Sequence, residues 1–400
     1  MRVLSVVQRY GNDIGGGAER SCAELAERLM TRGHVVEVLT TDARTYGDWQ
    51  TGFPSGRSVE NGVVVHRLPV TTRMNRATFD PLNQRVIGAA LQGRHVPMVV
   101  QREWLQALGP VMTGIDGWLD ANIERFDLIS VHTLGYWHAT AAISAVRGRC
   151  PLVLHPLAHD EPNLALPIFD AALCGADGFA FLTIEEQTLI ERRTGRVRPA
   201  AVIGLGIEAP PVVGDHARRS IRSRLGLGAS DSFLLCAGRV DRDKGVHALA
   251  AMWAQARPDK RPLLVVAGEI VHPLAASDRV RVVGALTRDE LAASMAEAIA
   301  LVHPSAFESF AIVLAEAWAQ GTPTLVNAAC DVLVGQCRRS GGGLAWGDMA
   351  ELEEQVEALG ASPELRSLLG DRGRLAVAAN MRWDDTMDRY EALLERVVRQ

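Results

Sequence analysis

Short apolar runs alternate with amphipathic segments along most of the chain. The runs predict buried strands, whereas apolar positions three and four residues apart predict helices. The chain opens with a predicted strand at Arg2–Val7, a helix at Ala18–Arg32 and a strand at Val35–Thr40. Later, Thr183 followed three residues on by Glu186 has the pattern of a capping box at a helix start. Strands that alternate with helices in this way are typical of an α/β fold built on a parallel sheet.

A stretch rich in Gly and Pro interrupts this alternation at Gly204–Gly214, with the sequence GLGIEAPPVVG. Such a composition is typical of a linker between domains. A chain of 400 residues is also too long for one ordinary hydrophobic core. We therefore predict two doubly wound domains, of which the first ends at residue 204 and the second begins at residue 205.

Composition narrows the class of protein. The chain is 48% apolar and 22% charged, as in a globular protein, and its net charge of −5 argues against a general nucleic-acid binder. The six cysteines are scattered without metal-ligand spacing and favour buried free thiols in a reducing compartment. The sequence predicts no signal peptide and contains no apolar stretch of about 20 residues that could span a membrane. A cytoplasmic protein is expected, with peripheral membrane contact left open.

A pair of glutamates marks a candidate ligand site. A predicted strand at Ala300–Val302 is followed by Glu308 and then by a predicted helix at Phe310–Gln320, which contains Glu316. Open parallel sheets bind ligands beyond the carboxyl ends of their strands, so Glu308 is expected beside a ligand. We also expect Ser309 and its neighbours to supply unpaired backbone N–H groups at the helix start, where an anion binds favourably.

Two cations follow the first predicted strand of the second domain. In the string Gly238–Gly245, Arg239 comes directly after the strand and Lys244 stands at the start of the next helix. Residues at a strand end and at the following helix start can converge on one diphosphate. A random surface Arg or Lys would explain either residue alone but not the pair in this spacing.

Titratable residues also gather after a strand of the first domain. The predicted strand Pro151–Leu154 is followed by His155 and by the string His159-Asp160-Glu161-Pro162. Polar residues concentrated at this place are typical of a functional site, although a structural role for the histidines is equally compatible with the pattern. The His, Asp and Glu are adjacent rather than at helical ligand spacing, so no metal site is predicted.

The two glutamates eight residues apart, the Gly-Thr-Pro turn at Gly321–Pro323 and the G-R-x-x-x-x-K-G string together resemble the retaining nucleotide-sugar transferases of glycosyltransferase family 4. This resemblance implies the GT-B fold, in which two Rossmann-like domains face a central cleft. Residues 205–380 would then bind the nucleotide sugar and residues 1–204 the acceptor. The last helix, within residues 381–400, would cross back to the N-terminal domain.

The resemblance also implies roles for individual residues. Arg239 and Lys244 would neutralise the departing diphosphate, while Glu308 would contact hydroxyls of the transferred sugar and Glu316 the nucleotide ribose. The family usually has Gly where this chain has Ala311, and we expect the extra methyl group to crowd the diphosphate slightly. Further residues are implied near the sugar, the diphosphate or the base: Gly16, Gly17, His159, His155, Ser309, Phe310, Gly284 and Leu286.

The implied reaction is sugar transfer from a UDP- or GDP-linked donor to an acceptor hydroxyl, with retained anomeric configuration and without a metal or other cofactor. Base, sugar and acceptor stay open, and the acceptor could be soluble or lipid-linked. One alternative is a nucleotide-sugar-binding protein without transfer activity; another is a sugar phosphorylase or epimerase of the same fold. A pyridoxal-phosphate phosphorylase would need a Schiff-base lysine, and Lys244 and Lys260 are the only lysines. A nicotinamide oxidoreductase is disfavoured because no dinucleotide fingerprint is present.

The least informative stretch is Pro69–Phe126, where arginines stand among apolar residues. Solvated helix faces over a buried apolar stripe account for this pattern. An acceptor-side surface, or a basic amphipathic face against anionic lipid, is also compatible with it.

Overall fold

The chain divides into two compact units. Unit 1 comprises Met1–Gly204 with Thr386–Gln400, and unit 2 comprises Leu205–Asp385. Part of the Gly/Pro-rich stretch and Lys260 lie outside the described residues. The computed structural model describes residues 1–195, 198–208, 213–228, 230–255 and 262–400.

Unit 1 is built on a sheet of eight strands in the order β10-β9-β8-β7-β1-β2-β4-β3. All neighbouring strands in this sheet are parallel except β3 and β4, which form an antiparallel edge, and β5 pairs separately with β6. The strands of unit 1 are β1 (Arg2–Val6), β2 (Val35–Thr41), β3 (Gly56–Glu60), β4 (Val63–Leu68), β5 (Val70–Thr72), β6 (Val111–Met112), β7 (Leu128–His132), β8 (Leu152–His155), β9 (Gly178–Phe181) and β10 (Ala200–Val202).

Helices connect most of these parallel strands, because a parallel pair needs a long crossover, whereas the chain passes from β2 to β4 through β3. The first seven helices of the chain are α1 (Gly17–Thr31), α2 (Arg76–Leu91), α3 (Met98–Leu108), α4 (Ile115–Asn122), α5 (Trp137–Val146), α6 (Asp170–Gly175) and α7 (Ile184–Thr194). Three of them, α2 to α4, lie in the stretch for which the sequence was least informative.

Unit 2 contains a sheet of six parallel strands in the order β13-β12-β11-β14-β15-β16. Its strands are β11 (Phe233–Ala237), β12 (Leu263–Ala267), β13 (Val280–Gly284), β14 (Leu301–His303), β15 (Thr324–Asn327) and β16 (Gly343–Trp346). Its helices are α8 (Asp215–Arg224), α9 (Val246–Gln255), α10 (Arg288–Glu297), α11 (Ile312–Ala319), α12 (Asp331–Ser340), α13 (Met349–Ala361) and α14 (Pro363–Asn380).

The sheet of unit 2 is buried on both faces. Along β11, Phe233 and Leu235 belong to one hydrophobic cluster, whereas Leu234 and Cys236 belong to another. Successive side chains of a strand point to opposite faces, so the two clusters lie on the two sides of the sheet. Helices therefore cover both faces, as in a doubly wound fold.

The last helix, α15 (Trp383–Val398), belongs to unit 1 from Thr386 onward. Its Tyr390 is 1% exposed, and the phenol oxygen lies 2.9 Å from Ser130 Oγ in β7. Arg32, which follows α1, donates to Asp388 and Glu391 of the same helix at 2.5 Å each. The C-terminal helix is thus tied to the sheet of unit 1 by a buried polar contact and to α1 by surface ion pairs.

Several predicted element boundaries differ from the observed ones. The helix predicted at Phe310–Gln320 begins only at Ile312, because Ala311 adopts a left-handed conformation.

Five of the six cysteines are buried as free thiols, but Cys174 is exposed, so the prediction of burial is wrong for that residue. Within the described residues, no helix combines the length and apolar character needed to cross a membrane.

Candidate functional site

The order of strands in unit 2 reverses at β11. From β11 the chain proceeds to β12 and β13 on one side and then returns to β14, β15 and β16 on the other. At such a switch point the loops beyond the carboxyl ends of two adjacent strands separate and leave a crevice, where α/β sheets bind ligands. The loop after β11 carries Arg239 and Lys244, and the loop after β14 carries Glu308. The sequence-predicted cations and carboxylate therefore flank the same crevice.

Lys244 and Glu308 are in direct contact across this point. The Lys244 ammonium donates to Glu308 Oε1 at 2.7 Å and lies 3.4 Å from the carbonyl oxygen of Phe307. His303, the last residue of β14, places its Nε2 3.0 Å from the same Oε1. Glu308 is mostly buried, with 11% of its side chain exposed, whereas Lys244 is 25% exposed.

The electrostatics of this cluster fix the charge of Glu308. Burial alone would raise the pKa of its carboxyl, but the Lys244 ammonium and the hydrogen bond from His303 outweigh that effect. The pKa of Glu308 therefore lies well below its usual range. A permanently ionised carboxylate can accept hydrogen bonds from sugar hydroxyls throughout the physiological pH range.

The loop that carries Glu308 is held by contacts from neighbouring elements. Asn327, the last residue of β15, donates from Nδ2 to the Pro304 carbonyl oxygen at 2.9 Å. The turn before α9 approaches the same carbonyl so closely that a Cβ at Gly245 would lie 2.7 Å from it, and Gly245 also has a φ of +72°. Only glycine suits that position, because it combines a left-handed backbone with a close approach.

Ala311 has a φ of 60° and a ψ of 72° and is the N-cap residue of α11. A Cβ is disfavoured in this left-handed region, which is a physical reason for glycine at the position. The expectation for Ser309 is wrong in one respect, because the first helical N–H groups belong to Ile312 and Val313 and not to Ser309. Phe310, directly before the turn, is 5% exposed, and its carbonyl oxygen accepts a hydrogen bond from Gln336.

The remaining predicted residues of unit 2 lie at the same edge of the sheet or beside it. Arg239 is partly buried in the loop after β11, and Glu316 is partly buried on α11. Gly284 ends β13 with a φ of 73°, and its carbonyl oxygen accepts from Gly268 N at 2.9 Å. Leu286 is partly buried against the hydrophobic core, so its backbone is the part available to a ligand.

The glycine loop after β1 forms a separate part of the predicted site, in unit 1. Gly16 is the N-cap of α1, and a Cβ there would lie 1.9 Å from Glu19 Oε2. Glu19 in turn forms a buried ion pair with Arg9 at 2.8 Å. Around Gly17, by contrast, a Cβ would meet no atom of the described residues within 4 Å. Gly16 is thus required for packing, while Gly17 leaves open space beside the backbone.

The two predicted histidines of unit 1 have different surroundings. His159 is partly exposed, with Nδ1 2.8 Å from Glu161 Oε1. His155 is fully buried, stacks on His132 with ring centroids 4.1 Å apart, and places Nε2 3.0 Å from the phenol oxygen of Tyr390. Because its ring is enclosed by these neighbours, the structure argues against a donor contact by His155 and leaves His159 as the candidate.

Sequence reasoning missed a buried carboxylate behind the His159 loop. Glu186 is 1% exposed and accepts hydrogen bonds from Ala158 N at 3.0 Å and Leu182 N at 2.8 Å. Its backbone N–H donates to Thr183 Oγ1 at 3.2 Å, as the predicted capping box requires, and its carboxylate also joins the ends of β8 and β9. Burial raises the pKa of Glu186 to about 7 despite these hydrogen bonds. Only its burial, which the sequence did not indicate, distinguishes it from an ordinary cap residue.

His303 was also missed, although a histidine at the last position of a strand and five residues before Glu308 was a readable signal. Among the described residues, no group of three or more His, Cys, Asp or Glu side chains is placed to hold a metal ion.

Comparisons with known proteins cover most of the chain. Residues 16–206 match the family model described as a glycosyl transferase 4-like domain, and residues 217–375 match glycosyl transferases group 1. A D-inositol 3-phosphate glycosyltransferase of Xylanimonas cellulosilytica is 30% identical over 351 residues, which cover 81% of this chain and 78% of the relative. The enzyme of the same name from Streptomyces bingchenggensis is 30% identical over 409 residues, covering 95% and 84%.

Solved structures share the fold at lower identity. Sucrose-phosphate synthase from Thermosynechococcus elongatus matches with a TM-score of 0.73 at 20% identity, covering 99% of this chain and 98% of that chain. HepE from Anabaena, in complex with UDP-glucose, matches with a TM-score of 0.73 at 16% identity, covering 99% and 100%. The two units built on parallel sheets, together with the family matches, thus show a glycosyltransferase of the GT-B class. Within that class, the chain belongs to the group 1 glycosyltransferases of family 4, which confirms the predicted family and fold.

Proposed function

We propose that this chain transfers a sugar from a nucleoside-diphosphate sugar to an acceptor hydroxyl, with retention of configuration and without a metal ion. The observation that carries the proposal is the contact between Lys244 and Glu308 at the switch point of unit 2, at 2.7 Å. This contact supports the proposal because it brings a cation suited to a diphosphate beside a carboxylate suited to sugar hydroxyls.

In this mechanism Lys244 and Arg239 stabilise the negative charge that develops on the departing diphosphate. The N–H groups of Ile312 and Val313 at the start of α11 add to that stabilisation, because a helix N-terminus favours an anion. Fixed charges and dipoles of this kind commonly lower a barrier by several kcal/mol. Glu308 is held in place by Lys244 and His303 and orients the sugar through its hydroxyls. We assign no nucleophile, and Glu308 acts only as a group that orients the sugar.

The first experiment identifies the nucleobase of the sugar donor. It measures thermal unfolding of the wild type and of Arg239→Ala with a panel of nucleoside diphosphates. A ligand that binds only the native state raises its stability by mass action. UDP is the first choice, since the similar HepE was solved with UDP-glucose. A clear shift that the variant loses supports the diphosphate site, whereas no shift with any diphosphate at millimolar concentration contradicts the proposal.

Turnover is then tested with nucleotide sugars that contain the nucleoside diphosphate found to bind. D-inositol 3-phosphate is the first acceptor to try, because it appears in the names of the similar enzymes. The anomeric configuration of the product, read by proton NMR, tests retention, and activity in excess chelator tests metal independence. If the donor binds but its sugar is transferred neither to an acceptor nor to water, the result favours a nucleotide-sugar-binding protein without transfer activity.

A further inference from the structure

The connection between α2 and α3 exposes apolar side chains to solvent. Leu91, at the end of α2, is 69% exposed, and Met98 and Val99, at the start of α3, are 39% and 71% exposed. We name residues 91–102 the α2–α3 tip. Three large exposed apolar residues thus lie within nine positions of the chain, and apolar side chains concentrated on a surface often mark an interaction site. Elsewhere in the described residues, large exposed apolar side chains are more widely spread along the sequence.

Hydrogen bonds from two residues of α3, Trp104 and Gln101, hold the helices of the tip in place. Trp104 Nε1 of α3 donates to Asn83 Oδ1 of α2 at 2.8 Å, and the buried Gln101 donates from Nε2 to the Val96 carbonyl oxygen at 2.7 Å. Gln101 Oε1 also accepts from Ile168 N at 2.9 Å, and Val96 itself is 8% exposed. These contacts tie α3 to α2 and to Val96 in the turn before it, so Leu91 and Val99 are exposed on helices that are packed in place.

The charge of the tip is positive although the chain as a whole carries −5. Residues 91–102 contain two arginines and one histidine and no acidic residue, and Glu103 follows directly. Arg94 and His95 lie exposed in the turn, and Arg102 is exposed one helical turn beyond Val99. Exposed apolar side chains with arginines around them are typical of a surface that enters the interface of an anionic membrane.

We propose that the α2–α3 tip docks on an anionic lipid bilayer. Leu91, Met98 and Val99 enter the boundary between headgroups and acyl chains, while Arg94 and Arg102 contact lipid phosphates. An arginine can extend its apolar stem along the interface and keep its guanidinium at the phosphates. The charge of the tip selects this occupant, because an anionic surface complements the arginines. The proposal goes beyond the proposed function and does not rest on it, since the tip contains no residue of the donor site.

The test is flotation of the full-length protein with vesicles of two compositions, phosphatidylcholine alone and phosphatidylcholine mixed with phosphatidylglycerol. We expect the wild type to float with the mixed vesicles, to float less with neutral ones, and to be released by salt, because surface charge is screened. Leu91→Gln/Val99→Gln should weaken binding by about tenfold or more, since each apolar side chain lost from the interface costs a substantial part of its transfer free energy.

Two further variants make the test specific. Arg94→Gln/Arg102→Gln keeps every apolar contact, should weaken binding to the mixed vesicles only, and still tests the tip if the first variant does not fold. Leu368→Gln/Leu375→Gln on α14 removes another pair of exposed apolar residues, which are 48% and 70% exposed, and should float like the wild type. Each variant is first checked for an unchanged circular dichroism spectrum and thermal midpoint.

Three results would overturn the proposal. The first is a wild type that does not float with the mixed vesicles, and the second is a loss of flotation in the α14 variant equal to that in the tip variants. The third is concentration-dependent self-association in light scattering that the tip variants abolish, without flotation, which would assign the tip to a second copy of this chain. Failure of nucleotide binding would leave the flotation result unaffected, so the two proposals fail separately.

Discussion

The Lys244 ammonium and the Glu308 carboxylate lie 2.7 Å apart, on the two loops that border the switch point of the unit 2 sheet. Each residue thereby holds the other in place. The pair also links the two parts of a nucleotide sugar, because the cation suits the diphosphate and the carboxylate suits the sugar hydroxyls. Removing either partner should therefore change both the stability of unit 2 and the reaction.

Lys244→Met is expected to lower kcat/KM by about 10²- to 10³-fold, as for other losses of a group that stabilises transition-state charge. It should also lower the free energy of unfolding by about 1–2 kcal/mol, because Glu308 loses its main charge partner. The cost is below that of a fully buried pair, since 25% of the Lys244 side chain is exposed. Steady-state kinetics and urea unfolding measure the two effects.

Arg242→Gln is the matched control for Lys244→Met, because Arg242 lies two residues earlier in the same loop and is exposed. It should leave kcat/KM and stability nearly unchanged. Equal losses in both variants would mean that the loop needs positive charge in general, and the specific role of Lys244 would have to be given up.

Ala311→Gly is expected to stabilise the protein. Ala311 has a φ of 60°, and a left-handed backbone costs a residue with a Cβ about 1 kcal/mol relative to glycine. The gain is reduced by the extra freedom of glycine in the unfolded chain, so a net increase of about 0.5 kcal/mol is expected from urea unfolding. Ala378→Gly on the exposed face of α14 is the control and should cost about 1 kcal/mol. If Ala311→Gly lowers the free energy of unfolding as much as the control does, the result contradicts a left-handed conformation at Ala311.

The sequence was sufficient for the strands that flank the site and for the cation and carboxylate motifs, since buried parallel strands are apolar runs with sharp ends. It could show that Ala311 replaces a glycine but not that its backbone is left-handed, because φ depends on how the loop after β14 is held by Asn327 and Gln336. It could not separate His155 from His159 either. Both follow the same strand, and only the packing of α15 shows that Tyr390 encloses one of them.

Gly16→Ala is expected to destabilise the protein, whereas Gly17→Ala is not. A Cβ at Gly16 would lie 1.9 Å from Glu19 Oε2, so the substitution must displace the carboxylate from its ion pair with Arg9. We expect a loss of about 2 kcal/mol or more in the free energy of unfolding. A Cβ at Gly17 meets no atom within 4 Å in the part of the chain that the structure describes, so Gly17→Ala at the first position of α1 should be neutral or slightly stabilising.

The same pair of variants separates packing from ligand approach. If the donor approaches the glycine loop, Gly17→Ala should raise the KM for the donor while the protein stays fully folded, because the methyl group occupies open space that the ligand would use. An unchanged KM in a stable Gly17→Ala variant would remove Gly17 from the donor site.

Glu186 is expected to make stability fall as the pH rises. Its pKa is near 4.5 in the unfolded chain and about 7 in the folded state, where burial disfavours the charged form. Between these two values the folded state binds more protons than the unfolded state, so the free energy of unfolding decreases with pH and levels off above about 7. Glu186→Gln removes this dependence. The free energy of unfolding of the variant should therefore rise, relative to that of the wild type, by up to roughly 3 kcal/mol between pH 4.5 and pH 7.

Urea unfolding at a series of pH values measures this difference, and Glu185→Gln, at the neighbouring position on α7, serves as the control. A difference in stability between the wild type and Glu186→Gln that stays constant across the series would show that the carboxylate is already ionised in the folded protein at low pH. The backbone N–H groups of Ala158 and Leu182 would then be the stronger influence on its pKa.

Tyr390→Phe tests the assignment of His155 to the framework of unit 1. The phenol oxygen lies 3.0 Å from His155 Nε2 and 2.9 Å from Ser130 Oγ, and its removal leaves both buried groups without that partner. We expect a loss of about 1–3 kcal/mol in the free energy of unfolding. The KM for the donor should stay the same, because the substitution changes no residue retained in the donor site.

His159→Ala should give the opposite pattern, with nearly unchanged stability and a higher KM or lower kcat. Its ring is partly exposed, and its contact with Glu161 lies within its own loop, so little of the framework of unit 1 depends on it. Thermal unfolding and donor kinetics on His159→Ala and Tyr390→Phe decide between the two histidines. A raised donor KM in Tyr390→Phe at unchanged stability would return His155 to the site, because a framework residue should act on stability first.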